Sequence, residues 1–239
     1  MSLTTDALSR AAPAAEALPG PAQTLHALAL HGVGVGAYSI THALRPALIA
    51  HDLACWLDCP RPVRAQLLLA GPVHDIGKTA VPPALLNKPG MLTLAERRLV
   101  QLHCRIGAAI LQRRSHPLLQ FGAMLAEAHH EWFDGGGYPG RLRGGQIPWP
   151  ARIFAVADVY DALIEPRPYR HAMPEEKALS IIVDGAGTQF DPLVVDAFLR
   201  NLDRIHQRLD DVGALLAAGD AGEILHQFYL DESQWLQAA

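Results

Sequence analysis

The chain has 239 residues, 50% of them apolar, with 20 basic and 24 acidic side chains and a formal charge of −4. This is enough chain to bury a sizeable core, and the absence of any basic block argues against a nucleic-acid polymer as partner. No apolar run approaches the roughly 18 residues of a membrane span, and the N-terminus lacks a secretory leader's basic flank and apolar stretch; a cytoplasmic protein with no membrane association is expected.

Residues 1–23 are rich in alanine and proline and read as a tail. Helical periodicity then dominates, and the alternating β-branched residues and tight hairpin turns of strands are nearly absent, so the expected class is all-α. The simplest division is one domain over 24–205 and a helix-compatible extension over 206–239. The stretch from Tyr38 to Ile49 is expected as one helix carrying His42, with Pro46 inside it. Pro72, in "LLLAGPV", is expected to kink the helix leading to His74 and Asp75. Thr93 and Glu96 form a capping box for a helix on which Leu99, Leu102, Ile106 and Ile110 recur at helical spacing, with His103 on that apolar face. "RIFAVADVYDALI" predicts a second such helix around Asp158, and "FDPLVVDAFLRNLDRI" a third, with Asp191 as N-cap and Pro192 at its first position. Cys55, Cys59 and Cys104 are odd in number and lack CxxC spacing, which predicts buried or free thiols in a reducing compartment.

The 12 histidines are the compositional anomaly. His42, His74, His103, His129 and His130, with Asp75 and Asp158, form a set of imidazoles and carboxylates suited to divalent iron, manganese, nickel or zinc. Seven such groups exceed the needs of one tetrahedral ion and suit two octahedral ones. One carboxylate can bridge a metal pair, and pairs ~3.5–4 Å apart clamp the oxygens of an in-line displacement at phosphorus.

Several motifs occur in order: "HDIGK" at 74–78, "VPPALLNKPGMLT" at 81–93, "HCRIG" at 103–107, "HHEWFDGGGYPG" at 129–140, "ARIFAVADVYDAL" at 151–163, "RPYR" at 167–170 and "GTQFDP" at 187–192. Over residues 38–200 the chain resembles the HD-GYP family of bacterial cyclic di-GMP phosphodiesterases, a branch of the HD phosphohydrolases. The resemblance implies an HD-domain helical bundle with a glycine-rich GYP loop, two divalent transition-metal ions (iron or manganese first, nickel or zinc as alternatives), and hydrolysis of cyclic di-GMP to pGpG, with GMP as a further product. It implies Asp75 as the bridging carboxylate, with His42, His74 and Asp158 on one metal and His103, His129 and His130 on the other. Lys78, Tyr138, Arg167 and Arg170 would meet substrate, Lys78 also assisting the leaving oxygen. Asp161 and Glu131 would support the ligands from behind. The GYP loop is also an expected docking surface for protein partners. Two rival readings are a binding and signalling module with little turnover, and a phosphodiesterase for a related cyclic dinucleotide.

The chain departs from the family pattern at four places. Gly140 and Arg141 are exchanged relative to that pattern after Pro139; prolines 46 and 72 fall near ligand positions; and Tyr38 stands one expected helical turn before His42, where some relatives carry a glutamate ligand for a third metal. Two metals are therefore expected, because neutral tyrosine is a poor ligand for a hard divalent ion.

Overall fold

The computed structural model describes residues 20–113, 115–165 and 172–230. The described elements are helical: α1 (Pro21–Gly34), α2 (Ile40–Trp56), α3 (Arg61–Ala70), short 3₁₀ turns at Gly71–Val73 and Ile76–Ala80, α4 (Pro83–Leu86), α5 (Leu94–Leu111), α6 (Pro117–Ala128), α7 (Trp149–Ile164), α8 (Glu175–Asp184), α9 (Pro192–Arg200), α10 (Leu202–Ala218) and α11 (Ala221–Leu230). This is the all-α class expected, and no helix among the described residues is long and apolar enough to cross a membrane.

Helix α2 is the central strut. It packs along α7 and α3 and meets α10, while α5 packs on α6 and α11 packs on α1. One apolar cluster gathers Ile49, Leu53, Phe154, Tyr160 and Phe198; a second gathers Leu25, Leu44, Leu68, Ile76 and Leu225. Each fully buried aliphatic or aromatic side chain in them contributes about 1.5–3 kcal/mol. Since α2 feeds both clusters, His42 lies in a helix anchored on two sides.

Four local expectations are corrected. The helix expected from Tyr38 begins only at Ile40, because the Ser39 hydroxyl accepts the His42 N–H at 2.9 Å and caps it. Tyr38 is therefore not one helical turn before His42; its ring packs where a side chain at Gly32 would stand. Pro72 does not kink a helix: α3 stops at Ala70, and a 3₁₀ turn takes the proline and hands the chain to His74. The single helix expected after Asp191 is two, divided at Asn201, although the Asp191 cap is present, accepting the Leu193 N–H at 2.9 Å.

The fourth correction concerns α5. Its capping box forms, and His103 is buried, but Leu99 and Leu102 are 53% and 45% exposed. The inner face is His103, Cys104, Gly107, Ala108 and Leu111. Close approach is the reason. A Cβ on Gly77 would lie 1.9 Å from the His103 carbonyl oxygen and 2.6 Å from the Gly107 nitrogen. The Ile76–Ala80 turn thus rests directly on the α5 backbone, and only small residues fit there, so the leucines fall outside. Gly77→Ala should cost about 3 kcal/mol of unfolding free energy, the upper range for overpacking, measured by urea titration with an unchanged m-value.

Candidate metal and phosphodiester site

The seven ligand candidates come from different elements and meet around Asp75. His42 stands in the first turns of α2, His74 and Asp75 lie between the two 3₁₀ turns, His103 is mid-α5, His129 and His130 follow the end of α6, and Asp158 is mid-α7. All are buried except His130, which is half-buried.

The two oxygens of Asp75 face different imidazoles. Oδ1 is 3.2 Å from His103 Nε2 and 3.7 Å from His129 Nε2; Oδ2 is 3.4 Å from His74 Nε2 and 3.5 Å from His42 Nε2. Asp158 Oδ1 joins the second side, 3.4 Å from His42 Nε2 and 3.5 Å from His74 Nε2. His130 stacks beside His129 with ring centroids 4.0 Å apart. Ligand atoms of Asp75, His103, His129 and His130 lie within 4.8 Å of one another, as do those of His42, His74 and Asp75.

The backbone aims these rings. The Nδ1–H of His74 donates to the Gly71 carbonyl at 2.8 Å, that of His103 to the Val100 carbonyl at 2.6 Å, and that of His129 to the Leu125 and Ala126 carbonyls at 3.1 and 3.0 Å. Each Nε2 is left with its lone pair pointing inward. His42 Nδ1 lies 2.9 Å from Asp161 Oδ2, and Asp161 Oδ1 lies 2.9 Å from Arg45 Nε. Asp161 thus stands behind His42. Arg45, which the sequence reading missed, secures Asp161; its signal was its place one turn after His42 on the same helix.

These residues fit divalent metal ions on their own evidence. His74 Nε2, His129 Nε2 and Asp75 Oδ1 are buried with no hydrogen-bond partner, a costly state unless they coordinate something. Burial alone would raise the Asp75 carboxyl, yet the Lys78 ammonium and the imidazoles hold it well below its ordinary range. Burial would lower the His42 imidazole, but Asp161, Asp75 and Asp158 raise it to about 10. Three neighbouring carboxylates therefore demand positive charge here. On the other side, burial and the adjacent His129 keep His130 neutral and ready to donate a lone pair.

Lys78 ion-pairs with Asp75 Oδ2 and, with His42, His130 and Asp158, lines a cleft of about 240 Å³. Tyr38 is close enough that burial and the Asp75 charge keep its hydroxyl protonated. Arg167 and Arg170 lie outside the described residues.

The glycine loop closes the other wall. Tyr138 lies over His130 with ring centroids 4.9 Å apart, and the Tyr138 N–H donates to the His130 carbonyl at 3.1 Å. Gly137 has no room for a side chain: a Cβ would stand 2.2 Å from the Trp132 nitrogen. Glu131 spends both oxygens on this loop, accepting the Gly140 N–H at 2.5 Å and the Leu142 N–H at 2.8 Å. The exchange of Gly140 and Arg141 now has a consequence. Arg141 adopts φ +54°, the left-handed region that favours glycine, while a Cβ on Gly140 would come 3.0 Å from Glu131 Oε1.

The chain matches the HD domain family model over residues 28–194; it belongs to the HD domain family. Among curated relatives, it is 45% identical over 139 residues to a cyclic di-GMP phosphodiesterase response regulator of Xanthomonas campestris, covering 58% of this chain and 37% of the relative. It is 37% identical over 162 residues to a 3'3'-cGAMP-specific phosphodiesterase of Vibrio cholerae, covering 68% and 31%. The chain thus spans about a third of the length of these relatives. A crystal structure of a cyclic GMP-AMP phosphodiesterase from Vibrio cholerae superposes with a TM-score of 0.56 at 18% identity, covering 90% of this chain and 60% of that one, a likeness of fold.

Replacing Arg141 by glycine should relieve the positive-φ strain and raise stability by up to about 1 kcal/mol, read as an increased thermal midpoint.

Proposed function

We propose that this chain is a metal-dependent phosphodiesterase that opens cyclic di-GMP to pGpG, with GMP as a further product. One observation carries the proposal: a single buried carboxylate, Asp75, presents each oxygen to a separate group of inward-facing imidazoles. His42, His74 and Asp158 would hold one ion with Asp75; His103, His129 and His130 would hold the other. Iron or manganese is the proposed occupant, with nickel or zinc as alternatives. When bound, the ions would supply Lewis acidity toward a phosphoryl oxygen.

The remaining chemistry belongs to the protein. Formation of pGpG adds one water across a phosphodiester, breaking the bond from phosphorus to a 3′ oxygen. Lys78 at the cleft is the proposed cation for the scissile phosphate and the proton source for the departing oxygen. Tyr138 and the loop held by Glu131 form the wall against which a base would lie. Arg167 and Arg170 are proposed phosphate contacts. The loop, with Trp132 38% exposed, is the proposed surface for protein partners. Residues 24–205 are the proposed phosphohydrolase unit, 206–239 its extension, and the bacterial cytoplasm its setting.

A second reading has its own support: three curated relatives are named for 3'3'-cGAMP. Anaerobically purified protein offered cyclic di-GMP and 3'3'-cGAMP side by side, with metal content measured on the same sample, separates the two substrates. Absence of turnover on both by fully loaded protein would leave a binding module instead.

Two variants test the assignment of roles. Asp75→Ala should lose activity together with most bound metal, because both ions share its carboxylate; two retained metals with normal turnover would overturn the bridge. Lys78→Ala should lower turnover by about 10²-fold with unchanged metal content by inductively coupled plasma analysis.

A further inference from the structure

We propose that Cys55 is a thiol-modification site, reacting by exchange with small anionic disulfides at a cluster remote in sequence from the metal ligands of α5–α7. All three cysteines are free, yet their surroundings differ. Cys104 is fully buried, and burial followed by the Asp75 charge raises its thiol. Cys59 is 3% exposed; its sulfur accepts the Trp149 indole N–H at 3.2 Å, and burial raises its thiol too. Cys55 alone is half-buried, and its sulfur faces two nitrogen groups. His51 Nε2 lies 3.9 Å away, one turn earlier on α2, and Arg64 of α3 donates through NH1 at 3.6 Å.

The cluster is held in order from behind. His51 Nδ1 lies 3.0 Å from Asp52 Oδ1, which favours the tautomer with the Nε2 lone pair toward sulfur. Asp52 is fixed by a two-pronged contact from Arg208 of α10, Nε to Oδ2 at 2.8 Å and NH2 to Oδ1 at 3.0 Å. This sequence of thiol, imidazole and carboxylate is the arrangement that activates a nucleophilic cysteine. Arg64 adds a cation beside the sulfur, a further neighbour that promotes reactivity. No carboxylate lies within ion-pair distance of Arg64 among the described residues, and its Nε is buried without a partner, so the sulfur is the acceptor its guanidinium has. Beside the cluster runs an open groove of about 310 Å³ lined by Asp52, Trp56, Arg204, Gln207, Arg208 and Asp211. It has room for the second half of a disulfide, and Arg204, the groove arginine that Asp52 does not hold, is the cation there for that half's carboxylate.

In the exchange, His51 Nε2 takes the thiol proton and the Cys55 sulfur attacks one sulfur of the disulfide. The S–S bond breaks, the departing sulfur leaves with the electron pair as a thiolate, and Cys55 keeps the other half as a mixed disulfide. The incoming disulfide is the oxidant.

The test is timed reaction of the full native chain with oxidised glutathione, the adducts located by peptide mass after alkylation of the remaining thiols. The expected result is one adduct, on Cys55, forming faster than on the urea-unfolded chain and slowed about tenfold by His51→Ala and by Arg64→Ala. Thermal melting establishes that these variants are folded, and Arg64→Lys, which keeps the cation, should retain most of the parent rate. Equal labelling of Cys59 or Cys104, a native rate no faster than the unfolded one, or folded His51→Ala and Arg64→Ala proteins reacting at the parent rate would overturn the proposal.

Discussion

The structure turns on one buried carboxylate. Asp75 is 1% exposed, and Asp158 and Asp161 lie in the same interior. Three negative groups taken out of water together are tolerable only if positive charge accompanies them. Lys78, Arg45 and the His42 imidazole supply part of it within the chain. Helices α2 and α5 and the end of α6 bring imidazoles toward that charge while α7 adds further carboxylates, so the centre of the bundle is organised by electrostatic need as much as by apolar burial.

Backbone carbonyls do the aiming. Rings of this kind can rotate, and a misdirected tautomer would put N–H against N–H. Anchoring Nδ1 of His74, His103 and His129 on a carbonyl three or four residues earlier removes that freedom, because the carbonyl position follows from the local chain itself. The short 3₁₀ turns around His74 and Asp75 serve the same end: they place two successive side chains into one interior from a segment too tight for a continuous α-helix.

Much of this was legible from residue order. Five histidines and two aspartates in unusual contexts pointed to the cluster that meets around Asp75, and the motif order carried the family. Helix existence was readable too, from the Thr93–Glu96 box and the Asp191 cap. What could not be read was close approach. Leu99 and Leu102 satisfy a helical period but face outward, because the contact of Gly77 with α5 is made by backbone that no periodicity reports. The start of α2 escaped for a related reason: Ser39 competes for the role of cap, which moves Tyr38 out of register with His42. The Arg45–Asp161 pair and the Arg208–Asp52 fork join residues distant in the chain, and beyond the place of Arg45 one turn after His42 a single sequence holds no record of such pairs.

Glu131 ties two properties that are usually tuned apart. It follows His130 directly in the chain, and its carboxylate grips the far end of the glycine loop at Gly140 and Leu142. The wall proposed to meet a nucleotide base and the imidazoles proposed to hold metal are therefore joined through one side chain. Under the proposed function, reshaping this loop for a different substrate would shift the proposed metal ligands in the same steps, so selectivity and metal demand would change together.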